Sequence, residues 1–327
     1  MSATPTATAQ TALMPNLHAV ILAGGEGTRF QPYSTPEMPK QFLHITDANR
    51  TMIQMTFDRI TQLVPPQNVI ISTNRRYEEL VADQLPEVPA RNVVAEPMKK
   101  NTAAPIALIN HLIWTRDSSA INLFLPSDHY MANTAAALEA YKLAAYVAMH
   151  HPKLITFGIV PTFPSPDYGY VHRGAVLKGA PAYEVRQFVE KPKVEVAQTY
   201  LDTGEYFWNG GMFCWKASAF VDAVGTFMPK LQDGLLAMQL TTRGALNKTW
   251  MKKFFGGLNK PDGTQTSVDY GVMEPSSKEG RVITLPFNAG WSDVGGWVAL
   301  KKLVDMEGVE LHPDAERHMY QWFADNI

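Results

Sequence analysis

The sequence predicts an α/β protein on a doubly wound, mainly parallel, Rossmann-like sheet with inserted hairpins and a helical C-terminal tail. Three observations lead there. From His18 to about Val160, short β-branched or apolar runs alternate with segments of helical period, the rhythm of successive βαβ units. The runs are short and nearly all-apolar, as strands buried on both faces are. A glycine-rich segment directly follows the first run, where α/β sheets place their ligands.

The predicted strands are Ala19 to Leu22, Asn68 to Ser72, Asn92 to Ala95, Ile121 to Leu125 and Leu154 to Ile159. Between them, Ile53, Phe57 and Ile60 recur at helical spacing behind an N-cap candidate, Thr51. Tyr77, Leu80, Val81 and Leu85 form a second apolar stripe. Thr102 is placed to cap a helix carrying Ile106, Ile109 and Ile113, and Thr134 precedes a long Ala-rich helix. After Val160 come hairpin material around Tyr168 to Tyr170, strands at Tyr183 to Val189, Met212 to Trp215 and Val282 to Leu285, several helices between Ala217 and Trp250, and a helical end. There is no internal repeat and no low-complexity linker. The expected organisation is a flexible tail over 1–16, one domain over 17–300 whose role changes near 160, and a helical tail over 301–327.

Composition narrows the function classes. With 29 basic and 31 acidic side chains in 327 residues, 46% hydrophobic and 18% charged, the chain is an ordinary globular one. A net charge of -2 offers no electrostatic footprint for nucleic acid or an anionic membrane. No apolar run approaches the ~18 residues of a membrane-spanning helix. The first fifteen residues, rich in Thr and Ala without Lys or Arg, lack the basic and apolar regions of a signal peptide. The single Cys214 can form neither an intramolecular disulfide nor a Cys-based zinc site, and no histidine falls in a His-Glu-x-x-His pattern. A soluble, cytoplasmic protein is expected, with Cys214 an inert buried thiol.

The segment Leu22-Ala23-Gly24-Gly25-Glu26-Gly27-Thr28-Arg29, followed by Pro39-Lys40-Gln41-Phe42, carries the chemistry. Glycines let backbone N–H groups curl around an anion, and Arg29 and Lys40 add the cations that phosphoryl chemistry needs. Two other glycine-rich devices do not fit. A dinucleotide fingerprint needs a small residue where Phe30 stands, and no Gly-Lys-Ser/Thr ends a Walker loop.

These motifs resemble the signature of sugar-phosphate nucleotidyltransferases, specifically the mannose-1-phosphate guanylyltransferase (GDP-mannose pyrophosphorylase) family. Further segments match in order: Glu96-Pro97 with Asn101-Thr102-Ala103-Ala104-Pro105-Ile106, Leu125-Pro126-Ser127-Asp128-His129, Tyr168-Gly169-Tyr170, Phe188-Val189-Glu190-Lys191-Pro192, Trp208-Asn209-Gly210-Gly211-Met212-Phe213, Ser267-Val268-Asp269-Tyr270 and Gly290-Trp291-Ser292-Asp293-Val294-Gly295. The likeness covers about residues 18 to 300. Phe30-Gln31-Pro32 and Thr35-Pro36-Glu37 depart from it, standing where a Leu-Trp pair and a basic residue are usual. The chain stops soon after Asp293, so a short form without the cupin-type isomerase domain is expected.

The resemblance implies transfer of GMP from GTP to mannose 1-phosphate, giving GDP-mannose and pyrophosphate with Mg²⁺ as cofactor. It assigns the triphosphate to Arg29, the reacting phosphates to Lys40, the sugar phosphate to Lys191, and the metal to Asp128 and Asp293, consistent with the preference of Mg²⁺ for one or two carboxylates plus phosphate oxygens. Leu22, Gly24, Gly25, Gly27, Thr28, Asn101, Thr102, Pro126 and Ser127 would line the nucleotide pocket. Glu96 is either a guanine acceptor or an exposed strand-end acid. Gly169, Glu190, Asn209 and Asp269 would meet the sugar, although Asp269 also suits a helix cap. His129 either supports Asp128 or simply packs. By the same likeness a homodimer is expected, and the near-neutral charge leads us to expect no nucleic-acid or membrane partner. Two rivals are the same chemistry on another sugar 1-phosphate, such as a manno-heptose, and a non-catalytic nucleotide-sugar sensor.

Overall fold

The computed structural model describes residues 14, 16–242, 244–259 and 264–326; most of the expected tail over 1–16 lies outside them. The first half runs β1 (Leu17–Ala23), α1 (Met52–Ile60), β2 (Val69–Asn74), α2 (Glu78–Gln84), β3 (Val93–Glu96), α3 (Ala103–Arg116) and β4 (Ile121–Pro126). These strands lie in the order β3-β2-β1-β4, every pairing parallel. The alternation along β1 explains why the sheet needs helices on both sides. Leu17, Ala19, Ile21 and Ala23 enter one core with α1 and α2, whereas Val20 enters a second with α3. Thr51 opens α1 through a capping box in which its N–H donates to Gln54 Oε1 at 3.0 Å. Thr102 makes no such cap for α3; its hydroxyl accepts from the Val268 N–H at 3.0 Å instead.

The second half continues with β5 (Tyr130–Met131), α4 (Thr134–His150), β6 (Leu154–Ile159), β7 (Tyr170–Val176), β8 (Tyr183–Val189), α5 (Val194–Thr203), β9 (Tyr206–Lys216), α6 (Ala217–Phe227), α7 (Pro229–Leu236) and α8 (Lys248–Gly257). A π-turn over Asp269–Met273 then leads into α9 (Glu274–Lys278), followed by β10 (Val282–Phe287), β11 (Trp291–Ser292), α10 (Trp297–Glu307) and α11 (Pro313–Asn326). Here the mainly parallel expectation needs correction. β9 inserts antiparallel between β4 and β6, and β8 and β7 also pair antiparallel; beyond β4 only β6 and β10 are parallel. The physical reason is the length of β9. Its eleven residues pair with β4 and β6 and, at their start, with β7, so one strand ties the β4 side of a nine-stranded sheet to its β7 edge.

The last helices are not loose. Trp297, Leu300 and Leu303 of α10 and Ala315 and Met319 of α11 pack with Phe30, Ile45 and Met52 in a third core. Phe30 meets Trp297 edge-on with ring centroids 4.8 Å apart, and the Trp297 indole donates to the Gln31 carbonyl at 3.3 Å. The Phe30-Gln31 departure is thus the anchor of α10, which braces the glycine-rich loop from outside.

Between α3 and the sheet, a buried amide ties four elements. Asn110 donates to the Ala217 carbonyl at 3.0 Å, and its oxygen accepts from Asn122 at 2.8 Å and from the Trp215 indole at 3.0 Å. Replacing it by an apolar isostere strands three buried polar groups, each costing about 1–3 kcal/mol. Asn110→Leu should therefore lower unfolding stability in urea by about 3 kcal/mol or more; a loss under about 1 kcal/mol would show that the network carries little.

Candidate active site

The glycine-rich loop is stapled from inside. The Gln41 amide donates to the carbonyls of Ala23 at 3.1 Å and Gly25 at 2.8 Å, and the Ser34 hydroxyl donates to Gly27 O at 2.6 Å. Carbonyls are consumed inward, leaving loop N–H groups as the edge available to an anion. Gly27 has φ +60°, and a Cβ there would stand 2.5 Å from the Lys40 backbone nitrogen, so no other residue fits without moving the segment that carries Lys40. Thr28 and Arg29 follow in a 3₁₀ turn, exposed.

Lys40 is the hub. Its side chain is 5% exposed, and its ammonium contacts Asp128 Oδ2 at 3.0 Å while donating to the Asp293 carbonyl at 2.7 Å. Asp128 reaches this point because β4 ends at Pro126 and Ser127 turns the chain, with the Ser127 N–H donating to Leu22 O and Thr56 donating to Ser127 O. Burial opposes the Asp128 carboxylate, but Lys40 and the polarity around it more than compensate and hold its pKa below the usual range. Asp293 Oδ1 accepts from the Tyr168 hydroxyl at 2.9 Å and from the Gly295 N–H at 3.2 Å. An Arg29 nitrogen lies 3.3 Å from where a Cβ on Gly295 would sit, which puts the second cation beside Asp293.

Glu96, at the end of β3, is 8% exposed and so is not a solvated strand-end acid. It lies against Gly24, 3.7 Å from that residue's Cβ position, and accepts from the Ser72 hydroxyl at 3.3 Å. Burial without a cation pushes its pKa up to about 8, the serine hydrogen bond opposing only in part. Asn101 (φ 65°) bonds the Thr102 N–H, and the Ala103 N–H donates to Thr266 O. The 101–103 turn therefore fastens the segment leading to Asp269.

On the other side Gly169, Glu190, Asn209 and Asp269 converge. Gly169 admits Glu190 so closely that a Cβ would lie 2.6 Å from Oε2. The Asn209 amide donates to Asp269 Oδ1 at 3.0 Å, its oxygen accepts from Thr156 at 2.8 Å, and its N–H donates to Gly169 O at 2.7 Å. Burial, reinforced by Glu190, raises Asp269 to about 7; burial also raises Glu190, opposed by Lys191. Lys191 is exposed, 3.6 Å from Glu190, with φ 47°. Asp269 caps no helix through its side chain. Gly211 joins the halves, its Cβ position 4.0 Å from both Pro126 and His129.

The residues read from sequence thus gather into three neighbouring groups, around the glycine loop, Lys40 and Asn209. Sequence reasoning gave no role to Gln41, Ser34 or Tyr168, although Gln41 and Tyr168 lie in the motifs quoted above. Among the described residues no three His, Cys, Asp or Glu side chains come together to cage a metal. Lys40 touches the carboxylate of Asp128 but only the backbone carbonyl of Asp293, whose own carboxylate is held by the Tyr168 hydroxyl and the Gly295 N–H. A cleft of about 670 Å³ opens beyond Asp293 toward α10, lined by Arg29, Tyr168, Trp208 and Trp297 but by neither the glycines of the 24–27 loop nor Glu190 and Asp269.

A family model for nucleotidyl transferases matches residues 18–306. The mannose-1-phosphate guanylyltransferase ManC of Salmonella typhimurium is 36% identical over 320 residues, and the mannose-1-phosphate guanylyltransferase of Escherichia coli 35% over 314; each alignment takes in 92% of this chain and 63% of the relative. The chain therefore spans about three-fifths of the length of such relatives. A Thermus thermophilus structure described as a mannose-1-phosphate geranyltransferase superposes with a TM-score of 0.77 at 28% identity, covering 89% of this chain and 80% of that one. A UDP-glucose pyrophosphorylase with UDP-glucose, at 14% identity and a TM-score of 0.55, shares the fold. No helix among the described residues is long and apolar enough to cross a membrane. The chain belongs to the nucleotidyl transferase family.

Proposed function

We propose that the protein transfers GMP from GTP to mannose 1-phosphate. What carries this reading is Lys40, buried and bridging Asp128 to the backbone of Asp293 at the seam between the glycine loop and the sugar-side acids. In this reading residues 17–160, a Rossmann-like doubly wound half, hold the nucleotide, and 161–300 hold the sugar phosphate. The expected setting is the reducing cytoplasm, with buried Cys214 inert.

A phosphate oxygen of the sugar 1-phosphate attacks the α-phosphorus, an O–P bond forms, and the bond to the β-phosphate breaks to release pyrophosphate. A phosphate dianion is already a nucleophile near neutral pH, so the protein supplies alignment and charge compensation. Loop N–H groups and Arg29 bind the triphosphate, Lys40 sits at the reacting phosphates, and Lys191 approaches the sugar phosphate from its exposed position. Asp128 and Asp293 would hold Mg²⁺, which neutralises phosphate charge when bound. Gly169, Glu190, Asn209 and Asp269 orient the sugar hydroxyls. Guanine presents N1–H and N2–H₂ donors, and Glu96 beside Gly24 is the acceptor placed to read them.

The first test is pyrophosphate release from GTP, ATP, UTP and dTTP with Mg²⁺ and mannose 1-phosphate. Release should be greatest with GTP, and Asp128→Asn and Asp293→Asn should each reduce kcat by about 100-fold or more while melting cooperatively. Turnover persisting in both variants would remove these carboxylates from the reaction.

Glu96 gives a second test. Its pKa of about 8 makes it mostly neutral at pH 7, while guanine requires the carboxylate. KM for GTP should therefore fall from about pH 6 to about pH 9 and KM for ATP should not, with Glu96→Gln erasing the difference. A raised acid stabilises the fold below its unfolded pKa relative to above it. The folded state holds the extra proton, so stability falls as pH rises from 4.5 toward 8, by up to ~1.4 kcal/mol per unit. Glu96→Gln should remove that slope in urea titrations at several pH values.

A further inference from the structure

The indole N–H of Trp291 donates to His129 Nδ1 at 3.0 Å. An indole nitrogen cannot accept, so Nδ1 must present its lone pair and the proton of the neutral ring must sit on Nε2. The arrangement is built in by the β5–β11 ladder, which pairs Trp291 with Met131 and Ser292 with Tyr130; the two rings meet edge-on with centroids 5.4 Å apart. Cε1, the carbon between the two ring nitrogens, lies 4.0 Å from the Cβ position of Gly211 on β9. Among the described residues Nε2 has no hydrogen-bond partner, and it is not among the polar atoms sealed from solvent.

Resting on the reading above, we propose that His129 is a further substrate-binding residue: its Nε2–H, fixed by Trp291 as a positioning residue, donates to a phosphate oxygen of the sugar 1-phosphate. The ring stands between Asp128 on its own segment and the Asn209–Gly211 stretch on the sugar side, where the attacking phosphate must lie to meet the nucleotide. Gly211 leaves the space in front of the ring open. A neutral donor suits this point, because it contributes a charge-assisted hydrogen bond to an anion without adding a cation beside Lys40 and the metal-side carboxylates.

The test uses His129→Phe, which keeps a ring and removes the donor, and His129→Gln, whose amide restores an N–H. His129→Phe should raise KM for mannose 1-phosphate about tenfold or more, with KM for GTP within about twofold, and His129→Gln should recover most of the loss. Spectra of ¹⁵N-histidine-labelled protein should show the Nε2–H tautomer in the native chain and a tautomer mixture in Trp291→Phe. An unchanged sugar KM in His129→Phe, equal losses in both His129 variants, or an Nδ1–H tautomer in the native chain would overturn the proposal. If the native protein released no pyrophosphate with any sugar 1-phosphate, the transferase reading would fall separately. Calorimetric binding of mannose 1-phosphate to the native and His129→Phe chains would then decide the proposal, equal affinities overturning it and a tenfold loss upholding it.

Discussion

A buried ammonium that must be compensated organises this molecule. Removing the Lys40 charge from water costs several kcal/mol unless hydrogen bonds and an opposite charge replace the hydration. The replacements come from two distant places in the chain: the Asp128 carboxylate just past β4, and the backbone carbonyl of Asp293 beyond β11. The Phe30 ring lies 5.6 Å from the same ammonium, and Gly27 is pressed against its backbone. Misplacing any of these leaves a charge without a partner. The requirement therefore sets the register of the glycine loop, the end of β4 and the Asp293 turn at once.

That constraint propagates to the group around Asn209 through hydrogen bonds rather than through a rigid wall. Thr102 holds Val268, which delivers Asp269 to Asn209, and Asn209 is fixed in turn by Thr156 and Gly169. Tyr168, beside Gly169, reaches back to Asp293. The antiparallel insertion of β9 makes this circuit possible, because one strand carries Asn209 beside β6 and Phe213 beside β4. An all-parallel sheet would need a separate crossover for each.

The sheet strands were legible because apolar runs between turn signals are a local pattern. Leu154–Ile159 and Tyr183–Val189 match to the residue and the other predicted edges shift by no more than two positions, except β9, which begins at Tyr206, six residues before the predicted Met212. Strand direction was not legible in β9, since antiparallel pairing with β4 depends on partners some ninety residues away and leaves no mark in a run such as Phe213-Cys214-Trp215. Thr102 shows a similar limit: a threonine before a helix reads as a cap, yet its hydroxyl is claimed by Val268 across 166 residues. The candidate site was legible as motifs but not as wiring. Gln41 and Tyr168 lay inside those motifs, and only the fold reveals that one staples the loop and the other holds Asp293.

The acids of the site separate by whether the buried ammonium of Lys40 stands beside them; the exposed Lys191, 3.6 Å from Glu190, does not overcome burial there. Asp128, touching Lys40, is held ionised, whereas Glu96 is raised to about 8 and Asp269 to about 7, and Glu190 is raised too. Under the proposed function, this division is what two phosphate-bearing substrates would require. Recognition of hydroxyls and of a base needs carboxyl groups, but ionised carboxylates lining the whole groove would repel the incoming phosphates by several kcal/mol at low effective dielectric. Burial favours the protonated form of Glu96, Asp269 and Glu190, while Lys40 keeps the Asp128 carboxylate charged. A single chain thus carries acids of one chemical kind in two electrostatic states, and the boundary between them is the reach of one lysine.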